Sequence, residues 1–222
     1  MNDLTNILAE TAERLLANHA GKETVKAAEE GHWPTALWQA LEENGLAQPL
    51  VPEAQGGIGA SWEDAFVIAL AAGRHRAPVP LPETMAAGWL LAAAGIEVPE
   101  GPVALADDLA AVPWGNTAPH AVAAVAESGT WRIQLLARKG ATAEADVSLA
   151  GEPRDRMAYA KPLATGALAC PAGNDAVSPV RLLGAAMRAA QVAGASGRAV
   201  EFAVEHATTR RQFGRPIAKF QA

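Results

Sequence analysis

Apolar positions in the first hundred residues recur at helical spacing. Ile7, Leu8, Ala12, Leu15 and Leu16 predict a helix from Asn6 to Ala20. Leu37, Trp38 and Leu41 predict a second from about Pro34 to Asn44, with proline in its first turn and Gly45 as its stop. After a loop rich in proline and glycine, Ser61 with Asp64 three positions on reads as a capping box. It opens a helix that runs to about Gly73. Another spans Glu83 to Ala94 and ends at Gly95. Near Pro99 the pattern changes. Val103–Ala106, Ala121–Ala126, Trp131–Ala137 and Val147–Leu149 predict short strands, with Ser128-Gly129 as a hairpin turn between the second and third. Pro171-Ala-Gly-Asn-Asp signals a linker. A long helix then opens at Ser178-Pro179 and runs to about Thr208. Gly184, Ala190, Gly194 and Gly197 are among the small residues crowding its interior. A glycine costs a lone helix roughly 1 kcal/mol relative to alanine, so their number predicts the close approach of another backbone. The chain is thus mainly α with a small β-domain: a helical N-terminal domain at 1–99, a β-domain at 100–172 and a C-terminal helical segment at 173–222.

Composition narrows the function classes. Half of the 222 residues are apolar, enough for a sizeable core. No uninterrupted apolar run reaches about 20 residues, and Arg181, Arg188 and Arg198 interrupt the long helix, so no membrane insertion is expected. The N-terminus lacks a basic stretch before an apolar one, so no signal peptide is read. A single cysteine, Cys170, allows no internal disulfide and fits a reducing, cytoplasmic setting. The net charge of −6 argues against nucleic-acid binding. The charge is uneven, however: residues 181–222 hold seven basic and two acidic side chains. That local excess suits either a bound anion or arginines on solvated helix faces.

Five histidines show no metal-ligand spacing, so no metal site is expected. Gly56-Gly57-Ile58-Gly59 lacks the dinucleotide-binding spacing and reads as a loop between helices. Arg74-His75-Arg76 reads as solvated charge at a helix end. The terminal stretch His206-Ala-Thr-Thr-Arg210-Arg211-Gln212-Phe213-Gly214-Arg215-Pro216-Ile217-Ala-Lys-Phe220-Gln221 is more specific. Arginine's planar fork matches a phosphate. Phe213 could cover a flat ring, and Gly214 lets backbone approach closely. A diphosphate beside a ring, or a solvated turn, both remain compatible with these residues.

The same stretch resembles the R-x-Q-F-G-x-P-I-x-x-F-Q signature of the acyl-CoA dehydrogenase family. Val51-Pro52-Glu53-Ala-Gln-Gly56-Gly57-Ile-Gly59 and Pro78-Val-Pro80 are similar to the family's N-terminal half. The resemblance implies a helical N-terminal domain, a middle β-domain and a C-terminal four-helix domain, with FAD between the last two. It implies that Arg210, Phe213 and Gln221 contact FAD, Arg210 reaching the diphosphate of a neighbouring subunit. Trp114, in a partial echo of the family's W-I-T-N element, is the fourth expected cofactor contact. The implied activity is FAD-dependent α,β-desaturation of an acyl-CoA substrate within a homo-oligomer or a hetero-oligomer with a related subunit. Steroid and fatty-acid substrates are both open.

The departures are as informative. Ala106 stands where the family's β-domain places a hydroxyl residue toward the flavin, and a short spacer makes that domain look abbreviated. Gly184 stands where a minority of members carry the catalytic glutamate. The majority place it well beyond the F-Q pair, past Ala222. Catalytic residues are therefore unassigned. The alternatives to a desaturase are a non-catalytic partner subunit that completes the FAD site of a heteromer, and a non-enzymatic helical interaction protein.

Overall fold

The computed structural model describes residues 3–127, 129–169 and 177–220. Helices α1 (Asp3–His19), α2 (Lys22–Glu29), α3 (Thr35–Glu43), α4 (Trp62–Arg74) and α5 (Leu81–Ala93) come first. Leu8, Ala12 and Leu16 of α1 meet Leu37, Trp38 and Leu41 of α3 and Ala65, Ile68 and Ala72 of α4 in one core. The capping box forms as the sequence predicts. Ser61 Oγ accepts from the Asp64 backbone N–H at 3.3 Å, and Asp64 Oδ2 accepts from the Ser61 N–H at 2.8 Å. The other Asp64 oxygen accepts from Thr5 at 2.6 Å, which joins the start of α4 to α1. Helix α2 carries no buried residue. Its Lys, Glu and Ala favour a helix by propensity, and without an apolar stripe the periodicity left it unseen.

The β region holds β1 (Val103–Leu105), β2 (Val112–Pro113), β3 (His120–Glu127), β4 (Thr130–Ala137), β5 (Thr142–Glu144), β6 (Arg154–Ala158) and β7 (Ala164–Ala169). One sheet has the order β1-β3-β4-β7, and a smaller one β2-β6-β5. Strand β1 runs parallel to β3, and the remaining pairs are antiparallel. The strand expected at Val147–Leu149 does not form. Val147 makes one isolated bridge to Pro153, and 148–152 is a turn closed by the Ser148 N–H to Glu152 carbonyl bond at 2.8 Å. Apolar content there serves no sheet, since Val147 and Leu149 are exposed. Strands β6 and β7 escaped the pattern because one is charged (Arg-Asp-Arg-Met-Ala) and the other is built of small residues. Ser128, Cys170 and the 171–175 linker lie outside the described residues.

Helices and sheet join at α5. Thr84 Oγ1 donates to the Pro80 carbonyl at 2.8 Å and accepts from the Val103 N–H at 3.0 Å. The long helix α6 (Pro179–Thr209) then crosses α4 and α5. Its buried residues, Val180, Met187, Ala190 and Gly194, lie on one face. A Cβ on Gly194 would strike the Leu70 carbonyl, and one on Gly73 would strike that of Gln191. Two glycines thus let the α4 and α6 backbones touch, as the small-residue run predicts. Gly184 is only half-buried and Gly197 meets nothing, so the crossing accounts for part of that run.

Arg74 and His75 differ from the expectation of solvated charge. Arg74 donates through both terminal nitrogens to Glu201 of α6, at 2.6 and 2.8 Å, and His75 Nε2 lies 2.7 Å from Glu13 of α1. Arg74 and Arg198 hold the Glu201 carboxyl down at about 2.

Candidate functional site

A cavity of about 760 Å³ opens where α2, α4, α6 and the 147–154 turn converge. Val25 and Ala28 of α2, Ala72 and Gly73 of α4, and Val192 and Ala195 of α6 supply apolar walls. Such a volume, with mostly apolar walls and a few polar groups, suits a ligand of drug-like size. Trp114 lines the cavity and is 8% exposed. Its φ is +58°, a region that bulky L-residues rarely adopt. Trp33 sits edge-on to it at 6.4 Å, and Trp38 continues the stack at 5.8 Å. The Trp114 backbone N–H bonds the Pro153 carbonyl at 3.3 Å, so its placement depends on the turn that walls the cavity.

A charged cluster, missed at the sequence level, flanks the cavity. Arg188 of α6 donates to Glu83 of α5 at 2.8 Å and to Glu152 of the turn at 2.9 Å, and Arg154 lies 3.6 Å from the other Glu152 oxygen. Glu83 is buried, which pushes its carboxyl up from its usual range although Arg188 pulls the other way. One Glu83 oxygen has no hydrogen-bond partner. The cluster joins helical domain, β region and α6. No sequence signal marked it, because its members are up to 105 positions apart.

The predicted cofactor contacts fall in two places. Trp114 is at the cavity, which Gln191 of α6 also lines. Arg210 caps the far end of α6, nineteen residues after Gln191, or about 28 Å along the helix axis. It opens a two-stranded hairpin, β8 (Arg211–Gln212) with β9 (Arg215–Pro216). Phe213 and Gly214 form its turn with φ of +49° and +77°, and Phe213 is 94% exposed. Phe220 packs edge-on against Phe213 at 6.3 Å while Arg215 covers the Phe220 ring at 4.1 Å. Arg210 is exposed and has no carboxylate within ion-pair distance among the described residues. The hairpin therefore carries an exposed arginine and an exposed ring three residues apart, which could hold an anionic, ring-bearing group. Gln221 lies outside the described residues.

Carboxylates around the cavity are few. Gly184 and Ala106 carry no functional group. Glu152 is clamped between two arginines, and Glu29 is exposed at the end of α2. No group of three or more metal-ligating side chains occurs among the described residues, and none of their helices is long and apolar enough to cross a membrane.

The comparisons agree with this geometry. Residues 2–98 match the family model "Acyl-CoA dehydrogenase, N-terminal domain", and residues 182–222 match "Acyl-CoA dehydrogenase, C-terminal domain". The chain is 34% identical to acyl-CoA dehydrogenase IpdE2 of Mycobacterium tuberculosis, over 97% of this chain and 67% of that protein. Among solved structures, the Tcur3481-Tcur3483 steroid ACAD G363A variant aligns with a TM-score of 0.77 at 23% identity, over 97% of this chain and 70% of that one. The ChsE4-ChsE5 complex from M. tuberculosis aligns with a TM-score of 0.73 at 19% identity, over 99% and 71%.

Proposed function

The chain belongs to the acyl-CoA dehydrogenase family, and from that premise we propose that it is a non-catalytic partner subunit, completing the FAD site of a catalytic chain in a heteromeric acyl-CoA dehydrogenase. One observation carries the reading: of the two carboxylates in the cavity wall, Glu152 is paired with two arginines and Glu29 is exposed at the end of α2. An α-proton abstraction needs a carboxylate within hydrogen-bond reach and able to change charge. Glu152 is already paired with Arg188 at 2.9 Å and Arg154 at 3.6 Å, and Glu29 faces solvent. Gly184 offers nothing.

The residues present do fit a flavin dinucleotide shared between chains. Arg210 is an exposed cation at the tip of α6 without a carboxylate partner among the described residues, and Phe213 is exposed three residues on. Trp114 keeps a buried indole N–H without a partner. About 28 Å of helix separates Gln191 in the cavity wall from Arg210, too far for both to meet one flavin ring. Arg210 and Phe213 of this chain would then serve the diphosphate of a neighbour, and Trp114 would lie at the ring end of its own chain's site. Bound FAD would supply the hydride acceptor. This chain would supply charge, ring contact and the walls of an acyl cavity. Two of the similar structures, Tcur3481-Tcur3483 and the ChsE4-ChsE5 complex, carry paired names, which favours a hetero-oligomer over a homo-oligomer.

Anaerobic mixing with saturated acyl-CoAs, read at the oxidised-flavin absorbance, tests the reading. The chain alone should leave its flavin oxidised, and the chain with a catalytic subunit should bleach it. Bleaching by the chain alone overturns the proposal and makes Glu29 and Glu152 the first carboxylates to replace.

A further inference from the structure

Three arginines and two glutamates line the cavity, so its charged groups carry a positive excess among mostly apolar walls. Arg188 and Arg154 both face Glu152, at 2.9 and 3.6 Å. Arg76 makes no ion pair, with Glu29 or with any other carboxylate among the described residues. Its two neighbours in sequence are engaged: Arg74 by Glu201, and His75 by Glu13. The third member of the Arg74-His75-Arg76 run is the one that lines the cavity, and it is exposed there.

The backbone makes the choice of arginine informative. The Ala77 N–H donates to the Ala72 carbonyl at 2.9 Å, and the Arg76 N–H to that of Gly73 at 3.1 Å. These two bonds close a Schellman motif at the end of α4, with Arg76 at the position where glycine is the usual residue. Its φ is +53°, in the left-handed region that an L-residue enters at a cost and glycine does not. Glycine would end the helix without strain but would place no cation at the cavity. Strain retained in this way is characteristic of ligand sites. A guanidinium fork recognises a carboxylate or a phosphate, and walls supplied by Val25, Ala72 and Val192 require the anion to arrive on a hydrocarbon body. From these observations we infer that the cavity takes an acyl group that carries a second, free carboxylate, and that Arg76 is the specificity-determining residue that pairs with it. The inference rests on reading this cavity as the acyl site, and it narrows the substrate class.

Calorimetry on the full chain tests this with dodecanedioyl-CoA, which bears a free terminal carboxylate, against dodecanoyl-CoA, and with CoA alone as a third probe. The dicarboxylic thioester should bind about three- to ten-fold tighter than the plain one, as suits one charged contact at an exposed arginine. Arg76→Gln should erase that advantage and leave the affinity for dodecanoyl-CoA unchanged, whereas Arg76→Lys should keep part of it. Arg76→Gly should lose the advantage too, yet raise the melting temperature by about 2–4 °C. A fall in melting temperature would show that the arginine serves the helix end and would overturn the ligand role. Loss of affinity for CoA alone and for both thioesters alike in Arg76→Gln would place a CoA phosphate at Arg76 and overturn the carboxylate. Equal or weaker binding of the dicarboxylic thioester overturns the inference but leaves the acyl reading of the cavity standing. Absence of binding by both thioesters overturns both.

Discussion

At Trp114 and Phe213 the backbone is held in the left-handed region, which costs an L-residue roughly 1–2 kcal/mol. Strain of this kind persists where surrounding structure enforces it, often at ligand sites. The two positions differ in what enforces it. Trp114 is locked by Trp33 and the Pro153 carbonyl. Phe213 has only a two-residue turn and the Phe220 edge. Glu83 stores a different cost. Burial raises its pKa, Arg188 opposes the rise and Glu152 adds to it. A carboxyl whose folded pKa is raised binds its proton more tightly in the folded than in the unfolded chain. Its contribution to stability is complete below the unfolded pKa and is lost as pH rises through the folded one. Glu83→Gln removes the ionisation and keeps an oxygen for Arg188. The variant should gain melting temperature over the parent as pH rises from about 4.5 toward neutrality, and the gap should then level off. Parallel thermal melts across that range check it, and a gap independent of pH would mean that Glu83 does not titrate between the two states.

The crossing of α4 and α6 turns on single atoms at Gly73 and Gly194, where any Cβ meets a carbonyl of the other helix. Neither carbonyl can move without breaking its own helix. Gly194→Ala should therefore destabilise the chain by about 3 kcal/mol or more. Gly197→Ala meets no atom and should stabilise the isolated chain by up to about 1 kcal/mol. Urea melts of the two variants should move in opposite directions; a shared sign would show that the close approach is not what the glycines provide. The small-residue run announced this crossing without naming its partner. The same balance holds for the other elements. Helices with an apolar stripe or a capping box, α1, α3, α4, α5 and α6, were legible because burial is written into their periodicity. Helix α2 buries nothing, β6 buries Asp155 and Met157 between charged neighbours, and β7 packs Gly166 on the Ala94 carbonyl. Such elements are fixed by what they pack against, which a local pattern does not record. At the site, a contiguous motif carried Arg210 and Phe213. The cavity and the Arg188 cluster assemble residues from α2, α5, α6 and the 147–154 turn, so they exist only once the chain folds.

For the molecule as a whole, the second half of α6 sets the question of assembly. Beyond Gly194 no residue of this helix is buried, and Val200, Phe202 and Val204 are exposed together with Phe213. Apolar surface grouped in this way is uncommon on a stable monomer. The basic character of residues 181–222 sits on a chain whose remainder is acidic, so a second chain can meet this end with opposite charge. Arg210 lies at the tip of that face, remote from its own cavity, and touches no carboxylate among the described residues. Its value should therefore appear only in the assembly. Arg210→Ala should leave the melting temperature of the isolated chain unchanged. In the flavin-bearing complex it should weaken FAD retention by about 10- to 150-fold, the range expected for one charge-assisted hydrogen bond. Light scattering of parent and variant complexes, followed by equilibrium dialysis of released flavin, separates a failure to assemble from a failure to hold the cofactor. Unchanged retention in an intact complex would remove Arg210 from the site. A fall in retention that accompanies loss of the complex would instead assign it to the subunit interface.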